Sequence, residues 1–201
     1  AIFPASAIPS AATTAFTIPY SCRFDDARAT SLSRTPASAG NRQLWTLSTW
    51  IKRSKLSANQ YIFSAKANTA GIFFITDNLI RVEQYDGAGG YDFRRDFEPK
   101  MRDASAWYHM VFIYDSAQGA EADRIKFYLN NVRQTVNYTY DAMASGFESE
   151  FNNTETHWIG TLGTTGLDGY LAETHFINAA AVAPSSFGET GDYGEWKPIE
   201  V

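Results

Sequence analysis

Residues 106–116, AWYHMVFIYDS, carry apolar side chains on both sides of a period-two pattern: Trp107, Val111 and Ile113 alternate with Tyr108, Met110 and Phe112. A strand that is apolar on both faces must be covered on both, so this segment predicts the central strand of a layered sheet structure. Its neighbours fit that demand. In LWTLSTWIKRS (44–54), Trp45, Leu47, Thr49 and Ile51 share one face while Thr46, Ser48, Trp50 and Lys52 share the other, the pattern of a strand with a single core side. QYIFSA, AGIFFIT and NLIRVEQYD follow, the last two joined by Asp77-Asn78. RIKFYLNNVRQTV reads as strand, Asn130-Asn131 turn, strand, because asparagine tolerates the left-handed conformation of tight hairpins. THWIGTL and DGYLAETHFI complete the series. Helical signal is confined to short pieces at 98–105, 140–147 and 183–189. Short strands without alternating helices predict an all-β, antiparallel β-sandwich of the jelly-roll kind.

A chain of 201 residues builds one substantial core, and one domain is expected over residues 21–201. Net charge is −5, with no Lys/Arg-rich run to oppose it, so a phosphate backbone is repelled and nucleic acid is not an expected partner. The single cysteine, Cys22, allows no internal disulfide and no Cys/His metal site. No cofactor and no required metal are expected, since no dense Asp/Asn run of the calcium-loop sort occurs. No apolar run reaches the roughly 20 residues that span a bilayer, and no basic-then-apolar leader opens the sequence, which reads as a soluble chain made in a cytosol.

Residues 1–20 form a distinct arm. Neither they nor the next two positions carry a charge, and Pro4, Pro9 and Pro19 bias the segment toward extended conformations. Ile2, Phe3, Ile8, Phe16 and Ile18 favour burial, either as an edge strand of their own domain or on a neighbouring subunit.

The order RFDDARATSLSRT, LWTLSTWIKRS, AWYHMVFIYDS, IKFYLNNVRQT, HWIG and LDGYLAETHFIN, followed by APSSFGE, resembles the concanavalin A-like, laminin-G-type jelly rolls, in particular those of tailed-phage virion proteins. The resemblance covers about residues 21–197; one departure is Asn130-Asn131 where the family usually has Asn-Gly. It implies a non-enzymatic structural protein of the virion surface. The expected role is an exterior capsid decoration or cement protein, or a tail-associated component, homo-oligomeric and held on the major capsid protein or another virion subunit by its arm. No shaft repeat or heptad of a trimeric fibre is present. The alternative is a lectin-like module of a tail fibre that recognises host-surface glycan.

The fold also hosts glycosidases that place two or three carboxylates on one strand, the catalytic pair roughly 5 Å apart in the retaining geometry. Glu173 lacks that company: Leu171 and His175 flank it at two-residue spacing, and Asp168 falls on the opposite face of a regular strand. Glu148 and Glu150 lie in a poorly periodic stretch without a third acid. Glu173 therefore reads as a wall residue held by an arginine or backbone N–H, and no catalytic residue is assigned. His109, His157 and His175 read as hydrogen-bonded sheet residues. The candidate glycan-binding residues are Tyr85, Asp86, Tyr91 and Asp92, which bracket the glycine-rich loop at 87–90, together with Trp50 on the polar side of its strand. Aromatic faces stack on sugar C–H patches and carboxylates accept from hydroxyls.

Overall fold

The structure is a computed structural model that describes residues 16–67 and 69–201. Its strands, numbered in chain order, form two main antiparallel sheets. The first contains β1 (Cys22–Phe24), β3 (Leu44–Arg53), β8 (Tyr108–Asp115), β9 (Ile125–Leu129), β10 (Val132–Arg133) and β15 (Gly169–Asn178), ordered β1-β15-β3-β8-β9-β10. The second contains β2 (Leu32–Arg34), β4 (Gln60–Ala65), β5 (Ala70–Phe74), β6 (Ile80–Tyr85), β7 (Tyr91–Phe97), β11 (Val136–Thr139) and β12 (His157–Ile159), ordered β11-β7-β6-β5-β4-β12-β2. Two short ribbons complete the set, β13 (Thr161–Leu162) with β14 (Thr165–Gly166), and β16 (Gly188–Thr190) with β17 (Trp196–Pro198).

The core lies between the two sheets. Trp45, Leu47, Ile51, Met110, Phe112 and Phe127 of the six-stranded sheet meet Phe63, Ile72, Phe74, Ile80, Val82, Phe93 and Phe97 of the seven-stranded sheet. Phe112 stacks on Phe127 at 4.6 Å and Trp45 on Tyr114 at 5.0 Å. Each such side chain contributes ~1.5–3 kcal/mol on leaving water. Asn130 and Asn131 adopt φ of 47° and 67°, and Asn78 φ of 65°, so both predicted turns are built as the asparagines allow.

Both faces of β8 are covered, as its sequence requires. The surprise is β3, where Thr46, Ser48 and Trp50 are buried although their face is the polar one. The cause is the C-terminal segment, which folds over the outside of the six-stranded sheet. Val182 and Phe187 pack on Val111, Ile113 and Ile177. The Trp196 ring stacks on His109 at 6.0 Å, and its Nε1–H donates to His109 Nδ1 at 3.0 Å. Indole nitrogen only donates, so Nδ1 is the bare nitrogen and Nε2–H donates to Ser48 Oγ at 2.8 Å. Burial, with a smaller repulsion from His175, holds the His109 imidazole down at about 4.

Among the described residues the helices are three single 3-10 turns, Asp26–Arg28, Glu121–Asp123 and Pro184–Ser186. Of the three stretches expected to carry helix, only 183–189 contains one. Segments 98–105 and 140–147 are loops, each pinned by one buried methionine, Met101 and Met143; one anchor does not offset the cost of nucleating a helix.

Strand β15 is regular only in part. Ala172 faces Trp50 and His175 faces Ser48, so Glu173 and Thr174 together oppose Thr49 in a β-bulge. Glu173 takes the left-handed φ of 45° that this bulge needs. Leu171 points into the core before the bulge and Phe176 packs against it afterwards, so the inward parity changes by one. Glu173 is a wall residue, but its partner is neither arginine nor backbone N–H: its Oε2 lies 3.2 Å from His175 Nε2.

Of the arm, the described residues 16–20 form no strand and lie beside Trp50, Trp107 and Ala172 of the same chain. Phe16 and Ile18 are half-buried there, while Tyr20 is 85% exposed. Ile2, Phe3 and Ile8 lie outside the described residues.

Candidate functional site

The outer face of the seven-stranded sheet gathers most of the site. In β6, Ile80 and Val82 point into the core, so Arg81, Glu83 and Tyr85 point outward. In β7, Phe93 and Phe97 point inward and Arg94 and Asp96 outward. Regular alternation would also turn Tyr91 inward. A register shift prevents this: Gln84 faces Phe93 while Tyr85 faces Tyr91, leaving Asp92 as the extra residue. The bulge rotates Tyr91 to the outer face, where its ring lies 4.4 Å from that of Tyr85. Strand β11 adds Tyr138, paired with Asp96, and just beyond it Tyr140, whose N–H donates to Arg94 O, as the edge of the same face. Tyr91 meets Tyr140 edge-on at 5.3 Å, and the Arg94 guanidinium lies 5.0 Å and 5.8 Å from the Tyr91 and Tyr140 ring centres.

The hydroxyls are ordered. Arg94 Nη1 donates to the Tyr91 hydroxyl at 3.3 Å, and that hydroxyl donates to Tyr85 Oη at 2.9 Å. Tyr85 keeps its own O–H free to donate outward, and each bond in the relay polarises the next. The Tyr91 hydrogen bond and partial burial push the Tyr85 phenol up to about 12, so the donor is a neutral phenol at ordinary pH.

Beneath the rings lie two ion pairs. Arg81 grips Asp96 with two bonds, at 2.6 Å and 2.7 Å. Glu83 sits 3.7 Å from Arg94 Nε and is 4% exposed, and neither its Oε2 nor Arg94 Nε has a hydrogen-bond partner among the described residues. Burial pushes the Glu83 carboxyl up, against the pull of Arg81 and Arg94. Two cations and two acids leave the face formally neutral. Such a face can stack on apolar C–H surfaces through Tyr138 and Tyr140, each about half exposed, and donate a hydrogen bond from Tyr85.

Of the residues expected from sequence, Tyr85 and Tyr91 meet here. Asp86 lies in the adjoining turn, where its Oδ1 accepts from the N–H groups of Ala88 at 2.7 Å and Gly90 at 2.9 Å, bonds that hold its carboxyl below the usual range. Asp92 accepts from Gln84 Nε2 at 2.9 Å. Trp50 belongs elsewhere: it is on the six-stranded sheet, 6% exposed, stacked on His109 at 4.8 Å beside Pro198 and residues 16–21 of the arm, which corrects the exposed tryptophan expected from alternation. Sequence reasoning missed Arg94, Tyr138 and Tyr140. The two-residue spacing in NYTY (137–140) was the available signal for the tyrosines, since it puts both on one strand face.

The other acids considered for chemistry are engaged. Glu150 binds Lys66 at 2.8 Å and Glu148 binds Arg42 at 2.9 Å. Among the described residues, no group of three His, Cys, Asp or Glu side chains is placed to hold a metal ion.

The fold is shared with carbohydrate-binding domains. A point mutant of NanB sialidase from Streptococcus pneumoniae superposes with a TM-score of 0.58 and 15% identity, covering 85% of this chain and 28% of that one. A putative carbohydrate binding protein from Bacteroides ovatus gives 0.56 and 13%, covering 79% and 43%. Domain 4 of AbnA, an extracellular arabinanase from Geobacillus stearothermophilus solved with arabinotriose, gives 0.50 and 17%, covering 74% and 66%. The present chain thus spans less than two thirds of each of these proteins. No curated protein matches the chain in sequence. The family model described as the concanavalin A-like lectin/glucanases superfamily matches residues 26–184, and the chain belongs to that superfamily.

Proposed function

We propose that this chain is a non-catalytic carbohydrate-binding module whose sugar face is the Tyr85–Tyr91–Tyr138–Tyr140 cluster. The observation that carries the reading is the bulge at Asp92, which turns Tyr91 out of the core register to complete an aromatic face with a directed phenol donor. Domains of the same fold solved with sugars, such as the arabinanase domain, support it. The formally neutral ion-pair floor favours neutral oligosaccharides. Titration of a panel of neutral oligosaccharides should find a binder whose affinity falls about tenfold in Tyr91→Ala and in Tyr140→Ala, the loss of one stacked ring. Binding that is unchanged in both variants places the sugar elsewhere.

A second reading concerns location. The family resemblance and the uncharged arm support display on a virion surface, with the arm seated on a capsid or other virion subunit. The half-buried Phe16 and Ile18, next to the exposed Tyr20 and the 38% exposed Trp107, leave an apolar strip that a neighbouring subunit can cover. Deletion of residues 1–20 should leave a folded, sugar-competent domain that fails to join particles; a truncated protein that still assembles removes the arm from that role.

A further inference from the structure

A second cleft lies on the other side of the seven-stranded sheet, at the open flank of the sandwich where β2 and β12 face β15. Its volume is about 520 Å³, in the range of pockets that hold a disaccharide-sized ligand. The floor is apolar: Phe63 and Phe176, from opposite sheets and 5.5 Å apart, together with Ile159. The polar lining is unsaturated. Asn178 Oδ1 accepts from Asn41 N–H at 2.7 Å and from Asn152 Nδ2 at 2.7 Å, which leaves Asn178 Nδ2 and Asn152 Oδ1 without partners among the described residues. His157 Nε2 accepts from Asn152 N–H at 2.9 Å and its Nδ1–H donates to Glu155 O, so this lining imidazole is neutral. Among the described residues Arg34 is therefore the one formal charge lining the cleft, and it pairs with no carboxylate there. Among the described residues no acid lines the cleft, although the whole chain carries a net charge of −5.

We infer that this cleft is a binding site for a carboxylate-bearing sugar, separate from the tyrosine face: the apolar floor takes the C–H side of the ring, the free amide groups of Asn152 and Asn178 take hydroxyls, and Arg34 takes the carboxylate. A purely acyl or aryl carboxylate would satisfy Arg34 but bring no hydroxyl to the two amide groups at the exposed rim of the cleft, which a sugar does. Gly40 is required by the same geometry, because a Cβ there would lie 2.4 Å from Asn152 Nδ2 and 2.6 Å from Asn178 Oδ1 and break the amide pair.

The test uses the full chain and two matched pairs of probes, 3′-sialyllactose against lactose and digalacturonate against its carboxyl-reduced form, followed by calorimetry and by amide shifts. The expected result is that at least one acidic member binds about tenfold more tightly than its neutral partner, with shifts at Gly40 and Asn152. Arg34→Gln, on an exposed edge strand, should reduce that preference to about onefold, and Ser38→Trp at the rim should block binding of the acidic probe. Shifts at Gly40 and Asn152 on adding the acidic probe, read in the Tyr91→Ala variant, separate this site from the tyrosine face, where that variant weakens the neutral partner. Acidic probes that bind no better than neutral ones, a preference that survives Arg34→Gln, binding that survives Ser38→Trp, or shifts confined to the tyrosine cluster would each overturn the inference.

Discussion

The His109 clasp gives the structure a defined acid sensitivity. His109 is fully buried between Ser48 and Trp196, and its folded-state pKa of about 4 lies below the value of 6.5 that it regains on unfolding. A depressed histidine contributes stability that is complete above the unfolded pKa and is lost as pH falls toward the folded one, because between the two only the unfolded chain takes the proton. Integrating the linkage between those two values gives a loss of about 2 kcal/mol at pH 5 and about 3 kcal/mol at pH 4, relative to pH 7.5. The perturbation is His109→Gln, whose amide oxygen can accept from Trp196 Nε1–H and whose amide nitrogen can donate to Ser48 Oγ, so the clasp survives without a titrating group. Urea unfolding of both proteins at several pH values cancels the carboxylates that they share. The stability advantage of the parent over the variant should shrink by about 2 kcal/mol between pH 7.5 and pH 5. A difference that stays constant over that interval refutes the buried, neutral imidazole and with it the clasp.

Other perturbations test the remaining supports. Arg53 is buried with its guanidinium 3.8 Å over the Phe74 ring and, among the described residues, a single hydrogen bond to Met101 O, with Nε and Nη2 unpartnered; Arg53→Met should hold or raise stability by about 1 kcal/mol in urea unfolding, since an apolar replacement removes the desolvation cost. Gly160 has φ of 86°, and a Cβ there would sit 2.2 Å from the Phe24 ring, so Gly160→Ala should cost roughly 2 kcal/mol by the same assay. Glu173→Val should cost about 1–2 kcal/mol and Glu173→Gly less, because a β-branched residue resists the left-handed bulge; equal losses would assign the cost to the His175 contact instead. Asp86→Ala should speed hydrogen exchange at the Ala88 and Gly90 amides with little change in the unfolding midpoint, and unchanged exchange would show that the turn does not depend on the carboxylate.

The parts of this fold legible in sequence are those set by period and by turn chemistry. AWYHMVFIYDS announces a strand covered on both sides, and Asn78, Asn130 and Asn131 announce hairpins, because these are local demands of the backbone. What was not legible depends on a shift of one residue or on distant chain. The bulges at Asp92 and Glu173 each reverse the parity of a strand, and nothing in YDFRRDF or LAETHFI forces the extra residue where it falls. Trp50 could be assigned correctly to the outer face of β3 and still be read wrongly as exposed, since its surroundings are His109 of β8, Pro198 and residues 16–21 of the arm, all distant in sequence. Tyr85 and Tyr91 were accessible through the loop they bracket, whereas Arg94 joins them only through the folded register.

The two outer faces of the sandwich solve the same problem differently, and the difference determines which one is free to bind. The six-stranded sheet exposes Val111, Ile113 and Ile177 on its outer side, an apolar strip that needs a cover, and the C-terminal segment supplies it through Val182, Phe187 and the Trp196 clasp. The outer side of the seven-stranded sheet is closed by its own side chains: Tyr61 stacks on Phe73 of β5 at 4.2 Å, and on β6 and β7 Arg81 pairs with Asp96 and Glu83 with Arg94. Aromatic rings can then sit above charged groups and stay partly in water, held by each other and by the Arg94 guanidinium. The Tyr85, Tyr91 and Tyr140 rings already touch one another or the Arg94 guanidinium before any ligand arrives. A sugar stacked there, as proposed above, would immobilise less side-chain freedom than one stacked on a loose aromatic loop.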